Sequence, residues 1–368
     1  MANTMRAWTH TRRGLPSEVL TLSKIPKPTI TSPTQILVQI SHCSLNPAGS
    51  IVMQLLPFVF RASPGIPEMD FAGTIIEMGS NVPEERGFAP GIPVFGSIPL
   101  PQNVKSTSGA LAEYVVVDHT AAVKKPASMT LSEASGLGIA GATALEVVRA
   151  AKLKRGDSVL VNGASGGIGH FVTQMCQNEV GPSGKVVAVC SSKHVDWLSQ
   201  LCTGSDRNVP PNKAGFEIVD YSAHAPVTSY LAETFGTSRF DAVLDAVGIQ
   251  DIFNDSPGFL KNNKPFVSVG PRAFSWTVPG MLSVIWRMAK NVLWPKLLGG
   301  TPRPHIQISA AANLESLEKL AQIANEGKLK VHVGALVPMD DVQTAYEHIT
   351  SGHAQGKIVV EMHGTNEE

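Results

Sequence analysis

The chain is poor in cysteine, aromatic residues and long apolar runs, and it carries no net charge. Its four cysteines, Cys43, Cys176, Cys190 and Cys202, show no CxxC spacing. That excludes a disulfide framework and points to reduced thiols in a reducing compartment. No apolar run reaches the roughly 18 residues of a membrane span, and "MANTMRAWTHTRRG" lacks the apolar core of a secretory signal. Arg12 and Arg13 would suit a transit peptide, but Met5 to Thr9 reads better as a first strand, so a cytoplasmic location is expected. Thirty Lys and Arg balance thirty Asp and Glu. No overall field therefore draws nucleic acid or an anionic membrane, and a small-molecule partner is expected. The eleven histidines are scattered, with no pair at helical ligand spacing, and no metal site is expected.

What is present is apolar content and alternation. At 368 residues and 43% hydrophobic composition the chain has material for two cores. Its first 125 residues hold short runs, "QILVQIS", "FAGTIIEMG", "IPVFGS" and "ALAEYVVVD", between Pro and Gly turns, which predicts a β-rich domain without helices. Past Pro126, apolar strands alternate with helical segments, the pattern of a parallel sheet covered on both faces. A helix over 314–326 and the short strands "VHVGALVPM" and "GKIVVEM" then rejoin the first domain. The expected fold class is α/β: a β-rich domain from 1–128 and 313–368, and a doubly wound domain over 129–312. "TGSDRNVPPNKAG" reads as a loop insertion.

The strand "SVLVNG" runs into Ala164-Ser165-Gly166-Gly167-Ile168-Gly169 and then a helix. Such a turn gathers free backbone N–H groups at the positive end of a helix dipole and favours a pyrophosphate, although a glycine turn can also merely connect two elements. A second strand ending in a carboxylate would take ribose hydroxyls. Here it ends Cys190-Ser191-Ser192-Lys193, with hydroxyls and an ammonium for a 2′-phosphate, so NADPH is the expected cofactor. The plainer alternative is that Ser192 caps the next helix. Tyr221 at the end of the third strand would flank the adenine or the phosphate.

"SLNPAG", "MDFAGTIIEMGSNV", "GALAEYVVV", "GIAGATALEVV", "VLVNGASGGIG", "FDAVLDAVG" and "GKIVV", in that order, resemble the medium-chain dehydrogenase/reductase superfamily, in its zinc-independent quinone oxidoreductase-like branch. The resemblance implies a GroES-like catalytic domain, a Rossmann domain, and hydride transfer from NADPH to a quinone, enone or similar activated double bond. It also implies a contact near the nicotinamide at Thr143, which could instead only bond back to its own helical turn; Val247-Gly248 and Val269-Gly270, each ending an apolar strand at the carboxyl edge of the sheet, are expected at the cofactor unless they merely terminate strands, and Lys357 is expected there too. Zinc members carry a Cys and a Gly-His-Glu segment where this chain has Asn46 and "PEMDF". Without a metal, developing negative charge needs hydrogen-bond donors, and Asn46 is the candidate catalytic residue; its alternative role is a turn residue before Pro47. Relatives often follow Asn-Pro with Asp and then Lys or Tyr. Here Ala48-Gly49-Ser50-Ile51-Val52 supplies no proton donor, which keeps open a second function: an NADPH-binding protein with a sensing, trafficking or scaffolding role.

Three of the five tryptophans lie in "FSWTVPGMLSVIWRMAKNVLWPKLLGG". At helical period this segment is more apolar than a surface helix requires. It suits a substrate pocket or a dimer interface ahead of membrane contact through 276–298. The expected partner is an apolar small molecule, with the chain a monomer or homodimer.

Overall fold

Alternating apolar residues in the first third of the chain fold as strands because one face of each can be buried. A computed structural model describes residues 3–203, 215–270, 277–294, 299–309, 311–352 and 354–363. Strands β1 (Thr4–Thr9) and β2 (Thr21–Pro26), linked through helix α1 (Pro16–Val19), form an antiparallel pair. β3 (Gln35–Ser44), β4 (Asp70–Met78), β5 (Pro93–Ser97), β6 (Tyr114–Asp118) and β7 (Ala122–Lys124) build a larger antiparallel assembly, with β4 and β6 both paired to β3. Ile36, Ile40, Phe71 and Ile75 are buried in its core. The expectation of a helix-free region is corrected by α2 (Pro47–Leu55) and α3 (Leu100–Lys105). Pro47 stands in the first turn of α2, where its missing N–H costs nothing, so Asn46-Pro47 starts a helix where the sequence suggested only a turn.

Helix α4 (Leu131–Ser135) begins with a capping box between Thr130 and Glu133, and it packs on β3, β4 and β5. The chain divides into two compact units, Met1–Ala142 with Ala311–Glu368, and Thr143–Ala310. The first division therefore falls inside helix α5 (Gly138–Ala151), later than the expected 128, because α4 is held by the first unit's sheet.

The second unit holds β8 (Ser158–Asn162), α6 (Gly169–Val180), β9 (Lys185–Cys190), α7 (Val195–Thr203), β10 (Phe216–Asp220), α8 (Val227–Phe235), β11 (Ala242–Asp245), α9 (Gln250–Asn254), β12 (Phe266–Ser268), α10 (Val278–Leu293) and β13 (His305–Gln307). All neighbouring strands pair in parallel, in the order β10-β9-β8-β11-β12-β13. The chain winds outward from β8 to β10, then crosses back to β11. The β8/β11 boundary is thus a topological switch point, the place where open α/β sheets collect ligands at their carboxyl edge. Most of the expected loop insertion, 204–214, lies outside the described residues.

After α11 (Leu314–Asn325) the chain returns to the first unit's sheet through β14 (Val333–Pro338), α12 (Val342–Thr350) and β15 (Lys357–Glu361). β15 pairs antiparallel with β3, Val359 facing Ser44 and Val360 facing Cys43. That register carries Lys357 to the start of α2.

Candidate active site

In the second unit the turn after β8 is shaped by backbone proximity. Gly163 has φ +70°, and a Cβ there would meet Val247 Cγ2 at 2.1 Å. A Cβ on Gly169 would lie 2.0 Å from the Gly163 carbonyl oxygen, so only glycine lets α6 start this close to β8. At Gly166 an added Cβ would meet, among the described residues, Gly163 O alone, at 3.4 Å. Helix α6 has no side-chain cap, and the N–H groups of Gly167 and Ile168 have no acceptor among the described residues. Open space facing free N–H groups at a helix start fits a pyrophosphate. Ala164 is fully buried and donates its N–H to Val189 O at 3.0 Å, and Ser165 Oγ is 2.8 Å from His194 Nδ1. Those two residues hold the turn and leave its glycines to face a ligand.

The neighbouring strand ends converge on the same edge. Asp245, 1% exposed at the end of β11, accepts from the N–H groups of Val247, Gly248 and Ile249 and from Asn162 Nδ2, all at 2.9–3.0 Å. This carboxylate was not singled out in the sequence, yet it shapes the Val247-Gly248 loop beside the glycine turn. Gly270 donates to Ser268 Oγ at 3.1 Å with φ +105°, and Val269 donates to Asp245 O. Thr143 lies buried on α5. At the end of β9, Ser191 is half-buried while Ser192, Lys193 and Tyr221 are exposed. Ser192 caps nothing; its hydroxyl donates to Asp220 Oδ2 at 2.5 Å. Parallel pairing of β10 with β9 thus brings a carboxylate to the place where the sequence of β9 alone shows none.

The first unit holds a second, buried constellation. Asn46 is 4% exposed and its side chain does not cap α2. Its Nδ2 donates to Asp70 Oδ2 at 2.8 Å and reaches Ser44 O at 3.5 Å, while its Oδ1 accepts from Lys357 Nζ at 2.8 Å. Lys357, expected at the cofactor, is 3% exposed and also donates to Leu45 O. Glu68 accepts from the Asn46 N–H at 3.0 Å and from the Tyr346 hydroxyl at 2.8 Å. Asp70 accepts from Ile139 N. Two glycines make room for the carboxylates: a Cβ on Gly49 would lie 2.0 Å from Glu68 Oε1, and one on Gly138 2.2 Å from Asp70 Oδ1. Gly49, which departs from the relatives' pattern, is therefore fitted to Glu68. Glu68 itself has φ +64°, a strained conformation for a residue with a side chain.

Known proteins share this architecture. Residues 32–127 match a family model described as "Alcohol dehydrogenase GroES-like domain", and 214–360 one described as "Zinc-binding dehydrogenase". The medium chain reductase pydE of Acremonium sp is 33% identical over 99% of this chain and 100% of its own length. The chain belongs to the medium-chain dehydrogenase/reductase superfamily. Within that superfamily it falls in the quinone oxidoreductase-like branch, as an oxidoreductase that binds a nicotinamide dinucleotide. The trans-enoyl reductase poxH of Penicillium oxalicum is 29% identical over 97% of both chains. The solved structure of the quinone oxidoreductase from Coxiella burnetii covers 98% of this chain and all of its own, with TM-score 0.76 and 24% identity.

Beside Asn46 lie Glu68, Asp70 and Lys357, with Cys43 on β3. Among the described residues no three His, Cys, Asp or Glu groups converge as ligands of a cation. Burial and then the Glu68 and Asp70 carboxylates push the Cys43 thiol up, and the Lys357 ammonium stands beside Asn46.

Burial, the largest effect, pushes the Glu68 carboxyl up to about 7, and it also lowers Lys357. An acid whose folded value lies above its unfolded one contributes stability in full below the unfolded value and loses it as pH rises through the folded one. Replacing Glu68 with Gln keeps the neutral form at every pH. The stability difference between Glu68→Gln and the parent should therefore move in favour of the variant by roughly 3 kcal/mol between about pH 5 and about pH 8. Urea unfolding of both proteins across that range checks it, and parallel pH curves would contradict it. His10, His42 and His305, lowered to about 4 chiefly by burial, act in the opposite sense below pH 6.5 and cancel in the comparison.

Proposed function

We propose that this chain transfers a hydride from NADPH, without zinc, to an apolar enone, quinone or similarly activated double bond. The observation that carries the reading is the open Gly166 face with the free N–H groups of Gly167 and Ile168 beside the β8/β11 switch point. The names of the trans-enoyl reductase and quinone oxidoreductase relatives favour the same substrate class. The bound dinucleotide supplies the hydride. Lys357 donates to Asn46 Oδ1 and polarises the amide, which strengthens its N–H groups as donors. One of them is held only by the 3.5 Å contact to Ser44 O, and we assign it to the substrate oxygen on which negative charge develops. Anaerobic stopped-flow mixing with NADPH and a panel of quinones and enones tests this. Cofactor binding without oxidation by any of them would favour a non-redox role.

NADPH preference rests on Ser191 and Lys193, set against Asp220, which already holds the Ser192 hydroxyl and whose carboxyl is kept below its usual range by hydrogen bonds from Ser192 and Ser222. Lys193→Ala should weaken NADPH by at least about tenfold, about 1.4 kcal/mol, and leave NADH unchanged. Asp220→Asn should tighten NADPH. Calorimetric titration of both cofactors checks the pair, and equal losses for NADH and NADPH in Lys193→Ala would remove the assignment.

A further inference from the structure

Helix α10 turns an apolar stripe away from the core of its own unit. Thr277 caps it through Gly280 N, Val284 is buried, and Asn291 is tied to Gln250 by two hydrogen bonds. These contacts fix which side faces inward. On the other side Leu282, Ile285, Trp286, Ala289, Val292 and Leu293 fall in a sector roughly 120° wide at 100° per residue. Leu282 is 60% exposed, Trp286 62% and Leu293 75%. The described residues contain no helix long and apolar enough to cross a membrane, so the stripe can lie on a lipid surface but does not span one.

The helix that carries this stripe has basic residues alone. Residues 277–294 contain Arg287 and Lys290 and no Asp or Glu, although the whole chain is neutral. Trp294, 42% exposed, adjoins the helix end, and Lys290 Nζ lies 5.9 Å from its ring centroid. Aliphatic and tryptophan side chains on one face with Lys290 at its edge fit the boundary between acyl chains and anionic head groups. A second copy of the chain fits less well, because a two-fold interface sets a patch against itself and here would set base against base. We propose that the outer face of α10 docks on an anionic lipid surface.

Sedimentation of the intact protein with vesicles tests this. With vesicles containing about 30 mol % phosphatidylserine in phosphatidylcholine, binding should be at least about tenfold stronger than with phosphatidylcholine alone, and high salt should weaken it. Tryptophan emission should shift to the blue on binding. Ile285→Ser with Leu293→Ser alters only exposed side chains, so the thermal midpoint should hold while vesicle affinity falls at least about tenfold. Lys290→Glu should weaken binding only where phosphatidylserine is present. The proposal is overturned if the parent protein binds neither vesicle, or if the double serine variant binds as the parent does. It is also overturned if those substitutions abolish a concentration-dependent dimer while no vesicle is bound, which would assign the face to a second copy.

Discussion

Lys357→Met is expected to destabilise the protein by about 3–5 kcal/mol, the cost of removing one partner from a buried charged cluster. Its ammonium is the cation beside Glu68 and Asp70, and all three side chains are buried. Because the single variant can fail to fold, Lys357→Met combined with Asp70→Asn is the informative protein. Removing both charges leaves Glu68, pushed up to about 7 chiefly by burial, as the remaining carboxyl, so below that pH the site is neutral and most of the lost stability should return. Turnover should not return. If Lys357 polarises the Asn46 amide, hydride transfer per folded molecule should stay down by roughly 10²-fold, the scale for weakening one oxyanion donor, with NADPH affinity little changed. Urea unfolding and single-turnover kinetics on the same preparation separate the two effects. A stable double variant with parent-like turnover would show that Lys357 serves the fold alone.

Gly166→Ala and Gly169→Ala should separate binding from folding at the dinucleotide turn. An alanine methyl at 169 meets the Gly163 carbonyl and the Ala164 Cα, both backbone, so helix and strand must move apart. A loss of about 1–3 kcal/mol is expected, together with weaker cofactor binding. At 166 the methyl enters open space, and stability should change by no more than about 1 kcal/mol. That same space is where a pyrophosphate must approach the backbone, so cofactor affinity should fall by about 10²-fold. Thermal midpoints and cofactor titrations of both variants read the contrast. Parent-like cofactor affinity in Gly166→Ala would place the pyrophosphate elsewhere.

In the superfamily's terms, the protein combines a cradle whose shape is local with a charged cluster whose members are distant in sequence. Asn46, Glu68, Asp70, Tyr346 and Lys357 meet only because β3, β4, β15 and α12 do. A change in any one of these elements should alter the charge balance around the Asn46 amide.

The sequence by itself determined the strand–turn–helix after Ser158, the alternation of apolar strands with helices, and the superfamily. Each depends on residues a few positions apart: continuous apolar runs for buried parallel strands, and glycines where a Cβ would strike backbone. The helix expected around Val227 to Phe235 and that expected over 314–326 formed for the same reason, their apolar spacing being sufficient to choose one buried face. Tertiary structure alone decided which polar groups share a buried volume. Nothing in the sequence shows a partner for Lys357; the β15–β3 register supplies one, Asn46, 311 residues away. Asp220 became a neighbour of Ser192 through parallel pairing, which no reading along one strand reveals. Asn46 was legible as a site residue, but not the engagement of its amide by Asp70 and Lys357. Local patterns fix which face of an element is apolar, whereas the electrostatics of a buried site depend on the distances between elements, and those exist only once the sheet has closed.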